Sequence, residues 1–139
     1  MEVASGTPQR PRWVRALVAG LAAEIALIVV AGLIYATTAD AEAAMNLVVP
    51  PASFVVFIAA GYWSAKPVPG IGALQGALAG AWGVALYLAL GLVASLFAKD
   101  ASFTDGFTPA YLIAHALKIA GGAFGGWLVA RNAATRPAS

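Results

Sequence analysis

Of the chain's 139 residues, 61% are hydrophobic and 10% are charged, whereas soluble domains run about 45–50% apolar and about 25% charged. That balance leaves too little polar surface for a soluble enzyme of this size and is far too apolar for a disordered chain. With no Cys, one His and a net charge of +2, the chain lacks a disulfide framework, a thiol nucleophile and a His cluster for a metal, and nothing points to nucleic acid. The composition predicts an all-α polytopic membrane protein, a single transmembrane domain of four helices, with the lipid bilayer as its first partner and no cofactor.

The first predicted span runs from Trp13 to about Thr38. Arg10, Arg12 and the Ala39-Asp40-Ala41 stretch are also features of a cleaved signal. However, the apolar stretch from Ala16 to Ala36 exceeds the about 7–15 residues of a signal core, and Glu24 interrupts it, so it reads as a retained span. Asp40 and Glu42 close it by charge. The second span covers about residues 47–65. Pro50-Pro51 is its weak point, because each Pro lacks an N–H and restricts the residue before it. A helix starting there would hold only about 16 residues, or about 24 Å, so a kink or an irregular entry is expected.

Lys66-Pro67-Val68-Pro69-Gly70 ends the second span. The third covers residues 71–97, about 40 Å as a helix, which exceeds the hydrocarbon core and implies tilt. Lys99, Asp100, Asp105 and Gly106 separate it from the fourth, residues 109–130, which Thr108-Pro109 opens as an N-cap followed by Pro at the first helical position.

Lys and Arg in short loops set orientation. Arg10, Arg12, Arg15, Lys66, Arg131 and Arg136 fall on one side, with Lys99 alone on the other beside the acidic residues. The expectation is a multi-pass inner (plasma) membrane protein with cytoplasmic tails at 1–12 and 131–139. Trp13, Tyr62, Trp63 and Trp127 sit near that face, where amphipathic rings favour the interface.

The second and fourth spans end alike, in Gly61-Tyr62-Trp63-Ser64-Ala65-Lys66 and Gly126-Trp127-Leu128-Val129-Ala130-Arg131. Either the chain is a tandem repeat of two helical hairpins, as in some transporters, or any inward-ending helix acquires a small residue, an aromatic anchor and a base. With its Gly121–Gly126 run and the Gln75-Gly76-Ala77-Leu78-Ala79-Gly80 start of span three, the chain resembles small four-span bacterial membrane proteins of unknown function. That resemblance implies a membrane protein and names no substrate.

Gly72, Gly76 and Gly80 recur every fourth residue, and Gly121/Gly125 and Gly122/Gly126 form two overlapping GxxxG pairs. Small residues at this spacing let helix backbones approach closely, which matters in lipid because no hydrophobic force drives helices together. The two clusters are expected to face each other within one chain, or one of them to form a homodimer face. So many small residues predict a thin bundle without a roomy cavity.

Three ionisable residues fall within spans: Glu24, His115 and Lys118. A charge at the bilayer centre costs about 2.5–3.5 kcal/mol on insertion scales. Glu24 and Lys118 differ by about 6 Å in depth, so an ion pair between spans one and four is expected. Their faces agree: Ala16, Gly20 and Glu24 share one stripe, and Tyr111, His115, Lys118, Gly122 and Gly125 share another. The pair locks the bundle's register, serves as a proton-responsive site, or meets a partner subunit. His115, one turn from Tyr111, is expected to be a hydrogen-bonded interfacial residue, and Gln75 an interfacial one.

No enzyme template fits, and no catalytic or metal-ligating set is assigned. One functional expectation is a structural or accessory protein that packs with itself or with other membrane subunits. The other is a small oligomeric proton-coupled transporter using Glu24. Leu21-Ala22-Ala23-Glu24-Ile25 resembles the first-span acidic motif of the small multidrug resistance family, which implies a shared proton and cation site at Glu24. The chain departs from that family in its strong Lys/Arg bias and in carrying a Lys in the fourth span.

Overall fold

The computed structural model describes residues 8–97 and 107–135. Lys99, Asp100, Asp105, Gly106 and Arg136 lie outside the described residues. Four helices form an antiparallel bundle: α1 Trp13–Thr37, α2 Ala41–Ala65, α3 Gly72–Phe97 and α4 Pro109–Ala134. All four are long and apolar enough to cross a membrane, which marks a multi-pass membrane protein. The end holding Arg12, Arg15, Lys66 and Arg131 is called the basic end here. The other, the acidic end, holds the Asp40 turn and Thr108.

Local chemistry sets the helix limits. The Ala43 N–H donates to Asp40 Oδ1 at 3.1 Å, and Glu42 lies in the first turn, where the helix dipole favours an anion. Thr108 Oγ1 accepts from the Tyr111 N–H at 3.2 Å, with Pro109 behind it at the first helical position. Between α2 and α3 the chain turns through a short 3-10 segment, Pro69–Ile71.

The expected start of the second span near residue 47 is corrected. The Asp40 cap starts α2 at Ala41, and the helix runs through Pro50 and Pro51 without ending. Its 25 residues span about 37 Å, so the proline pair does not shorten the element. It does remove two helical hydrogen bonds, since Pro50 and Pro51 have no N–H for the carbonyls of Asn46 and Leu47. The fourth span also extends one turn further than expected, to Ala134.

The helices form a rhombus. α2 and α3 make its short diagonal, each packs on both α1 and α4, and α1 and α4 share no comparable packing. A two-fold axis relating two hairpins would make the α2–α3 and α1–α4 contacts equivalent, so the packing is not symmetric. The likeness of the two hairpins is local to their ends. Lys66 Nζ lies 5.3 Å from the Tyr62 ring and the Arg131 guanidinium 5.4 Å from the Trp127 ring, each one turn beyond its aromatic partner.

Backbone contact holds the centre. A Cβ on Gly72 would overlap the Gly126 carbonyl, and one on Gly126 would overlap Gly72. Gly76 and Gly122 repeat this one turn deeper, and Gly80 meets Lys118 and Ile119 another turn on. At each reciprocal pair a Cα–H replaces the Cβ and points at a carbonyl, a weak hydrogen bond suited to close helix contact. The Cβ positions of the two GxxxG pairs of α4 point at different neighbours. Gly122 and Gly126 face α3, whereas Gly121 and Gly125 face the Phe54 and Ile58 carbonyls of α2. Adjacent helical residues point about 100° apart, so a Gly-Gly doublet is what lets α4 sink between two neighbours. On the opposite side, Gly20 of α1 meets the Ala79 carbonyl at 2.7 Å from its Cβ position, and Ala16, Ala19 and Ala79 fill the contact.

Candidate functional site

α1 buries a single stripe, Ala16, Ala19, Gly20, Ala23, Glu24 and Leu27. α4 buries Ala114, Lys118, Gly121, Gly122 and Gly125 among others. These stripes face each other along the long diagonal of the rhombus, where backbones are too far apart to pack and only long side chains can meet. Glu24 Oε1 and Lys118 Nζ do so at 2.6 Å, with the residues 1% and 2% exposed. The contact is an ion pair by distance.

Gly83 makes the room. A Cβ there would collide with the Phe57 ring and sit 3.1 Å from Glu24 Oε1. Phe57, fully buried, closes one side of the pair, with Lys118 Nζ 5.9 Å from its ring. Tyr87 of α3 closes another, its ring 4.8 Å from the ammonium. Cation–π attraction strengthens when the cation is desolvated, as here. Burying both charges together is roughly neutral in stability, whereas removing one partner typically costs about 3–5 kcal/mol.

His115 lies one turn toward the acidic end. Its ring stacks edge-on against Tyr111 at 4.1 Å and Tyr87 at 4.9 Å. The expectation of a hydrogen-bonded histidine is corrected: Nδ1 and Nε2 are both buried, and neither has a protein partner among the described residues. The reason is local, because the neighbouring tyrosines present rings to the imidazole rather than hydroxyls.

These residues line a cavity of about 150 Å³ between α2, α3 and α4. Met45, Asn46, Thr108 and Ala110 form its part nearest the acidic end. Pro50, Tyr87, Tyr111 and His115 form the walls, and Lys118 is its deepest member along α4. Pro50 and Asn46, the residues at one of the two missing helical hydrogen bonds, both belong to the lining. Ser53 Oγ, one turn below Pro50, is likewise buried without a partner among the described residues.

The basic end holds a second polar cluster, built on Gln75 near the start of α3. Gln75 is fully buried. Its Nε2 donates to the Arg12 carbonyl at 3.0 Å and to Ser64 Oγ at 2.9 Å, while Oε1 accepts from the Arg12 N–H at 2.9 Å. Arg15 donates to the Trp63 carbonyl through Nη2 at 2.8 Å, with its guanidinium 3.8 Å from the Trp63 ring. One side chain of α3 therefore ties the start of α1 to the end of α2, and every polar atom of its amide oxygen and nitrogen has a use.

Sequence reasoning passed over Gly83, Tyr87 and Gly61. Gly83 and Tyr87 continue the face of Gly76 and Gly80 at i+7 and i+11 from Gly76, so the stripe that located the glycines extends to both. Gly61, whose Cβ would overlap Gly122, stood inside the repeated helix ending. Among the described residues no group of three His, Cys, Asp or Glu side chains could hold a metal ion. Comparison with known proteins finds no matching family model, no curated relative and no matching solved structure.

Proposed function

We propose that the chain is a structural or accessory subunit of the inner (plasma) membrane, with both termini cytoplasmic, which acts by packing with itself or with other membrane proteins. Orientation rests on the positive-inside rule: Arg12, Arg15, Lys66 and Arg131 share one end, three of them on aromatic rings. The observation that carries the functional reading is that Glu24 is engaged by Lys118 inside its own chain at 2.6 Å. A carboxylate held this way fixes how α1 seats on the other three helices and is not free to take a cation. The glycine seam supports the same reading, since it leaves no room between α3 and α4 in the basic half.

The cavity that reaches Lys118 favours a second reading, a small oligomeric transporter in which Glu24 exchanges a proton. Extraction of the tagged protein into native lipid nanodiscs, with crosslinking and mass measurement, separates the two. The accessory reading expects a stoichiometric partner or a defined oligomer, with no Glu24-dependent proton flux after reconstitution in liposomes. Flux that disappears in Glu24→Gln would overturn it in favour of transport, and a lone monomer without flux would overturn both.

A further inference from the structure

We infer that the cavity above Lys118 is a binding site for a small organic anion, of monocarboxylate class, which enters together with one proton. The inference does not rest on the accessory reading. It rests on three features of the cavity.

Size comes first. A volume of about 150 Å³ matches that of an engineered core cavity that accepts benzene. A ligand of about that size fits within it. The second feature is chemistry. The lining from Pro50, Tyr87, Tyr111 and Ala114 is apolar or aromatic, while the deepest group is an ammonium with three N–H donors, and Glu24 Oε1 meets it from the other side. An acceptor that arrives from the acidic end therefore meets a donor at the bottom and apolar walls around its body. That is the usual layout of a small-molecule site, a mostly apolar concavity with few polar groups placed to orient the ligand.

The third feature is charge balance. Among the described residues, Glu24 and Lys118 are the two formal charges at the site, and they cancel. Tyr87 of α3 and Tyr111 of α4 are neutral phenols at ordinary pH, and α2 supplies Met45, Asn46, Val49 and Pro50, none of which titrates. An anion entering alone would leave one uncompensated negative charge within the membrane-spanning part of the bundle, which is costly. One proton taken up at the site restores neutrality. His115 is the group placed to hold it. Among the described residues its two nitrogens have no protein hydrogen bond, and its ring packs edge-on with the rings of Tyr87 and Tyr111 at 4.9 and 4.1 Å between centroids, within cation–π range of an imidazolium. The proton stays on an imidazole nitrogen and no covalent bond to the ligand forms. The basic side of the site is closed by Gly80 against Lys118 and Ile119, so ligand and proton enter from the acidic end.

The test uses the full chain in nanodiscs with 4-fluorobenzoate as probe, followed by fluorine NMR, with 4-fluorobenzamide as the uncharged isostere. Ala110→Phe narrows the cavity near the acidic end and leaves every charge in place. Subtracting its signal removes partition of the probe into lipid. The expected result is saturable benzoate binding, at least about tenfold weaker for the amide, and tightening by up to about tenfold per unit fall in pH, the limit for one coupled proton. His115→Gln, which cannot take up the proton, should bind the anion more weakly and lose that pH slope. Equal binding of the amide would overturn the anion assignment. A flat pH profile in the parent protein would overturn the coupled proton. Binding unchanged by Ala110→Phe would place the ligand elsewhere and overturn the site.

Discussion

The two halves of the bundle solve the same problem in opposite ways. In the basic half, helices meet backbone to backbone through Gly72, Gly76, Gly122 and Gly126, and the polar groups of Gln75 are fully partnered. In the acidic half, bulky rings of Tyr87, Tyr111 and His115 hold the helices apart, a cavity opens, and both imidazole nitrogens lack a protein partner among the described residues. Lys118 stands at the boundary, with the last glycine contact of the seam on one side and the cavity on the other. Close packing without a hydrophobic driving force requires small residues along a whole stripe. Where the stripe stops, side chains set the spacing and room for a ligand appears.

The contrast breaks most sharply at the boundary itself. Lys118→Met leaves Glu24 buried without its cation and should lower stability by about 3–5 kcal/mol. Glu24→Gln should cost a comparable amount, while the double variant should lose less than the sum of the two, because both charges are then gone. Thermal unfolding in detergent measures the cycle. Strict additivity would mean that the pair does not couple the two halves.

A smaller effect is expected within the seam. Gly76→Ala inserts a methyl group into the Gly122 carbonyl and should cost about 1–3 kcal/mol, as overpacking does. Gly32→Ala is the matched control, since a Cβ there meets nothing within 4 Å. It should gain up to about 1 kcal/mol from helix propensity. Equal midpoints for the two variants would remove the distinction between seam and surface.

The smallest effect belongs to the polar link. Gln75→Leu keeps the volume and removes three hydrogen bonds. Arg12 is exposed and can recover water, so a loss of about 1 kcal/mol is expected, mostly from Ser64. Hydrogen exchange should quicken at the first turn of α1 and remain unchanged in α4. A global rise in exchange would show that Gln75 supports the whole seam.

Much of this organisation was legible before any coordinates. Span limits followed from runs of apolar residues and the charges between them: α1 and α3 begin and end within one residue of expectation, α2 ends and α4 begins at the expected residue. α2 was misjudged because a proline pair outweighed Asp40, although an N-cap starts a helix and proline tolerates one already begun if neighbours or a cavity accommodate the freed carbonyls. The Glu24–Lys118 contact was legible from depth and stripe alone. The His115 and Gln75 environments were not, because hydrogen-bond partners come from other helices and depend on rotation and spacing that a single stripe does not specify.

The sequence by itself determined four apolar helices, their alternation, the stripe each buries and the depth of each ionisable residue, since all of these follow from helix rise and residue type. Only the tertiary structure decided which stripe meets which. The doublets Gly121-Gly122 and Gly125-Gly126 serve two neighbours at once, and α1 and α4 take opposite corners of the rhombus. Glu24 and Lys118 therefore reach each other through the gap that Gly83 leaves. In lipid these choices rest on how closely particular surfaces fit, a property of pairs of helices that no single helix carries.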